Sequence, residues 1–423
     1  MNESKHLKHL NNGETRMGSR GSIRTGERKT PFSEILLTVL FVLFLAGFLI
    51  AFLLVPDRSV SENENRTLQT FPEWTWEDWA DGTFAGEMND YFADQFPMRE
   101  DWTAVKAMAE LAAGKGGNNG VLVGENEQLA VYTFDACAGT DGYVSGTDGH
   151  SAYLVEKECE ALAGLDASLR EKNVPFCFLL APRTIDVAAS AFSYPDAGSL
   201  ELLEEFEWFL PKDLNAPSVI PELRRRYEAG EYVVYRTDHH WTTLGAYYAY
   251  EAVMRSWGME EDVLPQSAFT VDRTLSFYGT TWSKLGLPSV GPDVLERWLT
   301  GDEDRYEVTD LDSGETLPGG LYSPSYLEGK DKYGVFLDGT HNRLTVTDRN
   351  GGEREKLLIA KDSFANCLIP FLARHFDLVV LNLSDSGDET NLTKYMETYG
   401  CTRVLIVYGL ENAVTSYRLT GIR

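Results

Sequence analysis

An α/β fold is the architecture this sequence predicts: a parallel sheet with helices on both faces, preceded by a single transmembrane helix. Three observations lead there. From Lys356 the chain alternates between strand and helix patterns: strand Lys356 to Ala360, helix Ala365 to Phe376, strand Leu378 to Leu383, helix Glu389 to Tyr399, strand Arg403 to Tyr408. Apolar runs without in–out alternation suit strands buried on both faces, and a helix between successive strands makes them parallel. Upstream, an amphipathic helix from Tyr153 to Lys172 leads into the apolar run Val174 to Leu180. Near the start, Ile35 to Val55 is apolar and free of charge. That length crosses a hydrocarbon core of roughly 30 Å as a helix.

Taken in order, residues 1–30 are polar, with Lys5, Lys8, Arg16, Arg20, Arg24, Arg28 and Lys29 against Glu3, Glu14 and Glu27. This reads as a disordered basic tail. Basic residues ahead of the 35–55 span put the N-terminus in the cytoplasm and the rest outside. A secretory signal peptide would have a shorter apolar core and a small-residue cleavage site. Pro56-Asp57-Arg58-Ser59 follows instead, which favours an uncleaved anchor. Residues 57–115 form a polar, then helical, connecting segment. Trp74, Trp76 and Trp79 in it are expected to pack on the external domain, and Pro97 to break the helix Thr83 to Ala113. The external domain is expected at 116–423. It opens on a Gly-rich stretch with a strand at Gln128 to Tyr132, and it includes helices at Ser199 to Leu210 and Pro217 to Glu228. A strand Tyr232 to Tyr235 and a helix Leu244 to Trp257 follow. Residues 260–355 break the rhythm with turns and short β-like runs and read as an insertion bordering the site. No internal repeat is visible.

The net charge of −27 argues against nucleic acid as a partner, because phosphate binding requires a basic surface. It suits an exported domain. The five Cys, 137, 159, 177, 367 and 401, contain no CxxC pair, which argues against a zinc ribbon or a thioredoxin-type site. Cys177 and Cys367 read as buried thiols. A Cys137–Cys159 disulfide is left open.

Two stretches carry chemistry. In Thr237-Asp238-His239-His240-Trp241 an acid and two imidazoles fall just after an apolar run. An Asp beside a His holds one tautomer and stabilises the charged ring. The bland alternative is a polar loop with a His packed under Trp241. In Lys361-Asp362-Ser363-Phe364 the Ser sits between a strand and a helix. Such a Ser is often only an N-cap, yet the helix start also offers free N–H groups to a developing oxyanion. A metal on Asp238, His239 and His240 is disfavoured, since adjacent side chains of an extended chain point apart. No metal and no other cofactor is expected. Arg183, after the Val174 strand, is a candidate to line the site.

RTDHHWTTLGAYYAY with LLIAKDSFAN resembles the DHHW family of bacterial envelope proteins, which is similar to the SGNH-type O-acetyltransferases of the alginate system. Ser61-Glu62-Asn63-Glu64-Asn65-Arg66, Asp94-Gln95-Phe96-Pro97-Met98-Arg99 and Phe277-Tyr278-Gly279-Thr280-Thr281 resemble further pieces of that family. The resemblance implies an SGNH-hydrolase-like sheet with a permuted chain order, the Asp-His pair preceding the Ser. It implies Ser363 as nucleophile, His240 as base and Asp238 as orienting acid, with His239 in a variable position. Gly387, Gly409 and Asn412 become oxyanion candidates and Tyr278 a substrate contact, on looser matches; Lys361-Asp362-Ser363 departs from the Gly-Asp-Ser block of SGNH esterases. The implied function is O-acetyl transfer to a cell-surface polysaccharide, fed by a membrane-bound acyl carrier protein of the MBOAT kind. An esterase with the same triad and a non-catalytic glycan-binding protein are the alternatives. The binding reading requires Ser363, His240 and Asp238 to lie out of hydrogen-bond reach.

Overall fold

The computed structural model describes residues 32–61, 66–131, 150–193, 199–383 and 390–423. The basic tail, Cys137, Gly387 and residues 62–65 lie outside the described residues. The chain divides into two units, Met1–Pro56 and Asp57–Arg423. In the first, one helix spans Phe32–Leu54, with no residue buried in protein. Its 23 residues extend about 35 Å, long and apolar enough to cross a bilayer by length and composition.

The second unit is built on a six-stranded sheet: β1 (Phe176–Ala181), β2 (Tyr306–Asp310), β3 (Arg343–Asp348), β4 (Lys356–Lys361), β5 (Asp377–Asn382) and β6 (Arg403–Gly409). The spatial order is β1-β6-β4-β5-β3-β2. The four apolar strands β1, β6, β4 and β5 are parallel, as their lack of alternation predicts. Strands β3 and β2 are antiparallel additions. They come from the expected insertion, so residues 260–355 are not a separate appendage. Only two short 3-10 helices, Pro324–Glu328 and Lys332–Val335, lie between β2 and β3, and without an α-helical crossover the two strands pair antiparallel.

Side chains alternate between two cores. Leu179, Leu357, Ile359, Leu405 and Val407 face the helix Thr243–Ser256 and the segment 364–376. Phe178, Leu358, Ala360, Val404 and Ile406 face the helices His150–Glu171, Leu392–Tyr399 and Leu410–Thr415. Each of these Val, Leu, Ile and Phe side chains, fully buried, contributes ~1.5–3 kcal/mol of transfer free energy. Helices therefore cover both faces.

Three local expectations are corrected. Tyr232–Tyr235 joins no sheet; its one bridge, Val234 to Trp241, closes a tight loop of the chain on itself. The segment after Ser363 is not an amphipathic helix. It is two short turns, Ser363–Ala365 and Ile369–Leu372, and it is buried on every side as far as Ala373. Pro370 withholds an N–H, and the turns are held by packing instead. Trp74, Trp76 and Trp79 do not pack on the external domain; they are 51%, 71% and 60% exposed and touch one another. Pro97 does break the helix, between Thr83–Asp94 and Arg99–Ala112. Cys159, Cys177, Cys367 and Cys401 are free and buried. Burial pushes the first three thiols up to about 12, so all three are inert at neutral pH.

Candidate active site

The Asp-His-His-Trp stretch is a loop closed by its own backbone. Tyr235 N–H donates to His240 C=O at 3.2 Å and Thr242 N–H to Val233 C=O at 3.0 Å. Asp293, fully buried, anchors it by accepting from the Thr237 N–H at 2.7 Å and hydroxyl at 2.6 Å. Thr242 then caps the helix Thr243–Ser256 by accepting from Gly245 N–H at 3.2 Å.

Within this loop Asp238 is buried and fully engaged. Its Oδ1 accepts from the His240 N–H at 3.0 Å and from His240 Nδ1 at 2.5 Å. Its Oδ2 accepts from the Thr280 N–H at 2.9 Å and hydroxyl at 3.2 Å. Gly279 makes this approach possible, since a Cβ there would stand 2.2 Å from the Asp238 Cβ. A carboxylate accepts only, so Nδ1 carries the His240 proton and Nε2 is left as an acceptor. That Nε2 lies 2.8 Å from Ser363 Oγ.

Ser363 follows β4 on a turn capped by Asp362, which accepts from Phe364 N–H at 3.0 Å. The other oxygen of Asp362 takes the Gly409 N–H at 2.6 Å and Asn412 Nδ2 at 2.8 Å. The two turns are tied together directly. Trp241, fully buried, donates its indole N–H to Phe364 C=O at 3.0 Å. Tyr333 stacks on the His240 ring, centroids 4.0 Å apart and 8° from parallel, and donates to Ser363 C=O at 3.2 Å. Base and serine are thus held from both sides, which fixes their separation before any ligand arrives.

Burial opposes ionisation of Asp238, but the charges and hydrogen bonds of His240, His239 and Thr280 outweigh it and hold its carboxyl well below the usual range. Asp362 differs: burial dominates over its hydrogen-bond donors and the charge of Lys361 and raises its carboxyl. The His239 ring is depressed, by burial first and by His240 second.

A cleft of about 210 Å³ opens over these groups. Asp238, His239, His240 and Ser363 line it, with Tyr278, Thr280, Lys330, Tyr333 and Asn366 among the others. His239 lies beside His240, ring centroids 3.8 Å apart, with its Nδ1 2.8 Å from the Thr280 hydroxyl. Because the chain turns here, the adjacent imidazoles do not point apart: ligand atoms of Asp238, His239 and His240 come within 4.8 Å of one another. The extended-chain argument against a shared ion therefore fails. Both nitrogens of His240 are nevertheless taken up, by Asp238 and Ser363. Tyr278 lies in the cleft, its ring 4.6 Å from Trp282. Arg183 does not line it among the described residues; its guanidinium forms a buried pair with Asp186 at 2.6 Å. Gly409 and Asn412 are drawn to Asp362 rather than into the cleft. Sequence reasoning missed the supports Gly279, Thr280, Asp293 and Tyr333. Only Gly279-Thr280 left a trace, in the Phe277-Tyr278-Gly279-Thr280-Thr281 piece.

Comparison with known proteins agrees with this fold. PatB1 of Bacillus cereus is similar at a TM-score of 0.54 and 21% identity, over 63% of this chain and 92% of that one. A second structure of PatB1 carries a sulfonyl adduct. A DHHW family protein from Eubacterium siraeum has a TM-score of 0.50 and 20% identity, over 64% and 88%. The O-acetyltransferase domain of Pseudomonas putida AlgJ is more distant, at 0.43 and 15%, over 70% and 93%. No curated protein sequence matches. The DHHW protein family model matches residues 215–382, the segment that holds both the Asp-His-His-Trp loop and Ser363.

Proposed function

We propose that the protein is a membrane-anchored, extracytoplasmic O-acetyltransferase that acts on a cell-surface polysaccharide through a Ser363 acyl-enzyme. One observation carries this reading: the hydrogen-bond chain Asp238 Oδ1–His240 Nδ1 at 2.5 Å and His240 Nε2–Ser363 Oγ at 2.8 Å. It has the parts an acyl transfer needs, a nucleophile, a base in the correct tautomer and an orienting acid. Ser363 attacks the acyl carbon of the donor while His240 takes its proton. His240 then deprotonates a sugar hydroxyl, which takes the acyl group from Ser363. Tyr278 is the aromatic contact for the sugar ring. The sulfonyl adduct recorded on PatB1 supports a nucleophilic centre in this fold. The Asp-His pair precedes the Ser, which fits an SGNH-like fold of permuted order. The Phe32–Leu54 helix supports the anchor, with the N-terminus cytoplasmic and residues 57–423 outside. The acyl group would then come from a membrane-bound donor of the MBOAT kind.

The test uses the full chain in detergent with p-nitrophenyl acetate, read by intact mass. A single acetyl adduct is expected on the wild type and is lost in Ser363→Ala and His240→Ala. Added oligosaccharide acceptors should then gain acetyl groups. Release to water alone would make the protein an esterase. A folded wild type with neither adduct nor turnover would overturn the reading.

A further inference from the structure

Asn366 lines the cleft beside Ser363, one turn further along, and is 4% exposed. Its neighbour is Lys361, the last residue of β4, 3% exposed. Lys361 Nζ donates to Asn366 Oδ1 at 2.7 Å. A lysine ammonium has donors and no acceptor, so this contact decides which way the amide faces. The oxygen is turned to Lys361, and Nδ2 is left for the cleft. That Nδ2 makes no hydrogen bond to any described residue. The Asn366 N–H closes the turn on Ser363 C=O at 3.1 Å, so the amide and the serine are held in one rigid unit.

This amide donor is fixed by Lys361, has no protein partner among the described residues and opens on the cleft beside a candidate nucleophile, where a ligand can reach it. Gly409 N–H and Asn412 Nδ2 both donate to Asp362, whereas Asn366 lines the cleft together with Ser363. We propose that Asn366 is a catalytic residue of the acyl transfer, its Nδ2–H donating to the oxyanion, and that Lys361 is its positioning residue. This rests on the acyl-transfer reading. Ser363 Oγ bonds to the acyl carbon and its proton passes to His240 Nε2. The carbonyl π pair moves onto oxygen, which Nδ2–H then meets. Collapse restores the carbonyl and expels the leaving alkoxide, which takes the proton from His240. A prealigned donor of this kind acts mainly on kcat, since the charge exists only in the transition state and the intermediate.

The experiment assays the full chain in detergent, first with phenylmethanesulfonyl fluoride and then for p-nitrophenyl acetate turnover. Wild type, Asn366→Ala, Asn366→Ser, Lys361→Met and Lys361→Arg are compared, with melting temperature as the control for folding. Asn366→Ala should lower kcat on the order of 10²–10³-fold with KM little changed. It should also weaken an alkyl boronic acid, whose tetrahedral serine adduct carries the oxyanion, by a similar factor. Lys361→Met should lower kcat by about tenfold at unchanged KM, and Lys361→Arg, which keeps a donor, should recover part of it. If the alanine variant does not fold, the serine variant decides. A folded Asn366 variant within about threefold of wild-type kcat, with undiminished boronate affinity, overturns the assignment. A wild type that neither turns over nor takes the sulfonyl group fails one step earlier, at Ser363, and removes the acyl-transfer reading together with this one.

Discussion

Asp238 and Glu158 are both carboxyl groups withdrawn from water, and the protein treats them in opposite ways. Asp238, in the site loop, receives four hydrogen bonds and lies against two imidazoles, so it stays ionised. Glu158, on the helix His150–Glu171, is fully buried, and neither of its oxygens has a hydrogen-bond partner. Burial alone pushes it up to about 10, so it is neutral at pH 7. Asp362 lies between them: three neutral donors and the charge of Lys361 oppose its protonation, and burial still raises it. Burial acts to raise all three carboxyls, and only at Asp238 do the adjacent imidazoles and the hydrogen bonds reverse it.

The largest effect that would break this comparison is on activity. Asp238→Asn should lower kcat about 10⁴-fold with little change in KM, because an amide in place of the carboxylate no longer enforces the productive His240 tautomer. Steady-state kinetics on the acetyl ester checks it. Next, Gly279→Ala drives a Cβ against Asp238 and displaces the acid without changing its chemistry. About 10²-fold in kcat should be lost, as a misplacement near 1 Å costs. A variant with wild-type kcat would show that the position of Asp238 is not critical.

Glu158 sharpens the comparison through stability. Its folded pKa is raised, so its favourable contribution is complete below its unfolded value, near 4.3, and is lost as pH rises toward about 10. Glu158→Gln should therefore stabilise the fold by about 2–3 kcal/mol at pH 7, and by less at pH 5. Thermal melts across that range check the sign. Asp238 runs the other way: its lowered pKa gives stability present above about 3.9 and lost as pH falls through its folded value. The smallest effect is expected at Asp362→Asn. An amide keeps one acceptor oxygen where the carboxylate offers two, so at least one of the Phe364, Gly409 and Asn412 donors is stranded. About 1–3 kcal/mol should be lost in a denaturant titration.

Local pattern made the parallel strands legible, because a strand buried on both faces shows as an unbroken apolar run. The charge-free run from Ile35, which forms nearly all of the helix Phe32–Leu54, was legible for the same kind of reason. So were Asp238, His240 and Ser363 as chemically suited residues, each next to an apolar run. The antiparallel strands β2 and β3 were not, because their half-buried alternation looks like that of any surface loop stretch. Nor was the looped, sheet-free path of Tyr232–Tyr235, which depends on where its backbone partners come to lie. Sequence alone determined which residues are chemically suited to a site and how strands and helices alternate, since both depend on neighbours within a few positions. Only the tertiary structure decided that His240 meets Ser363 across 123 positions, that Gly279 and Thr280 hold Asp238, and that Gly409 and Asn412 serve Asp362. Those choices rest on packing between distant segments, where a shift of an ångström separates a hydrogen bond from none.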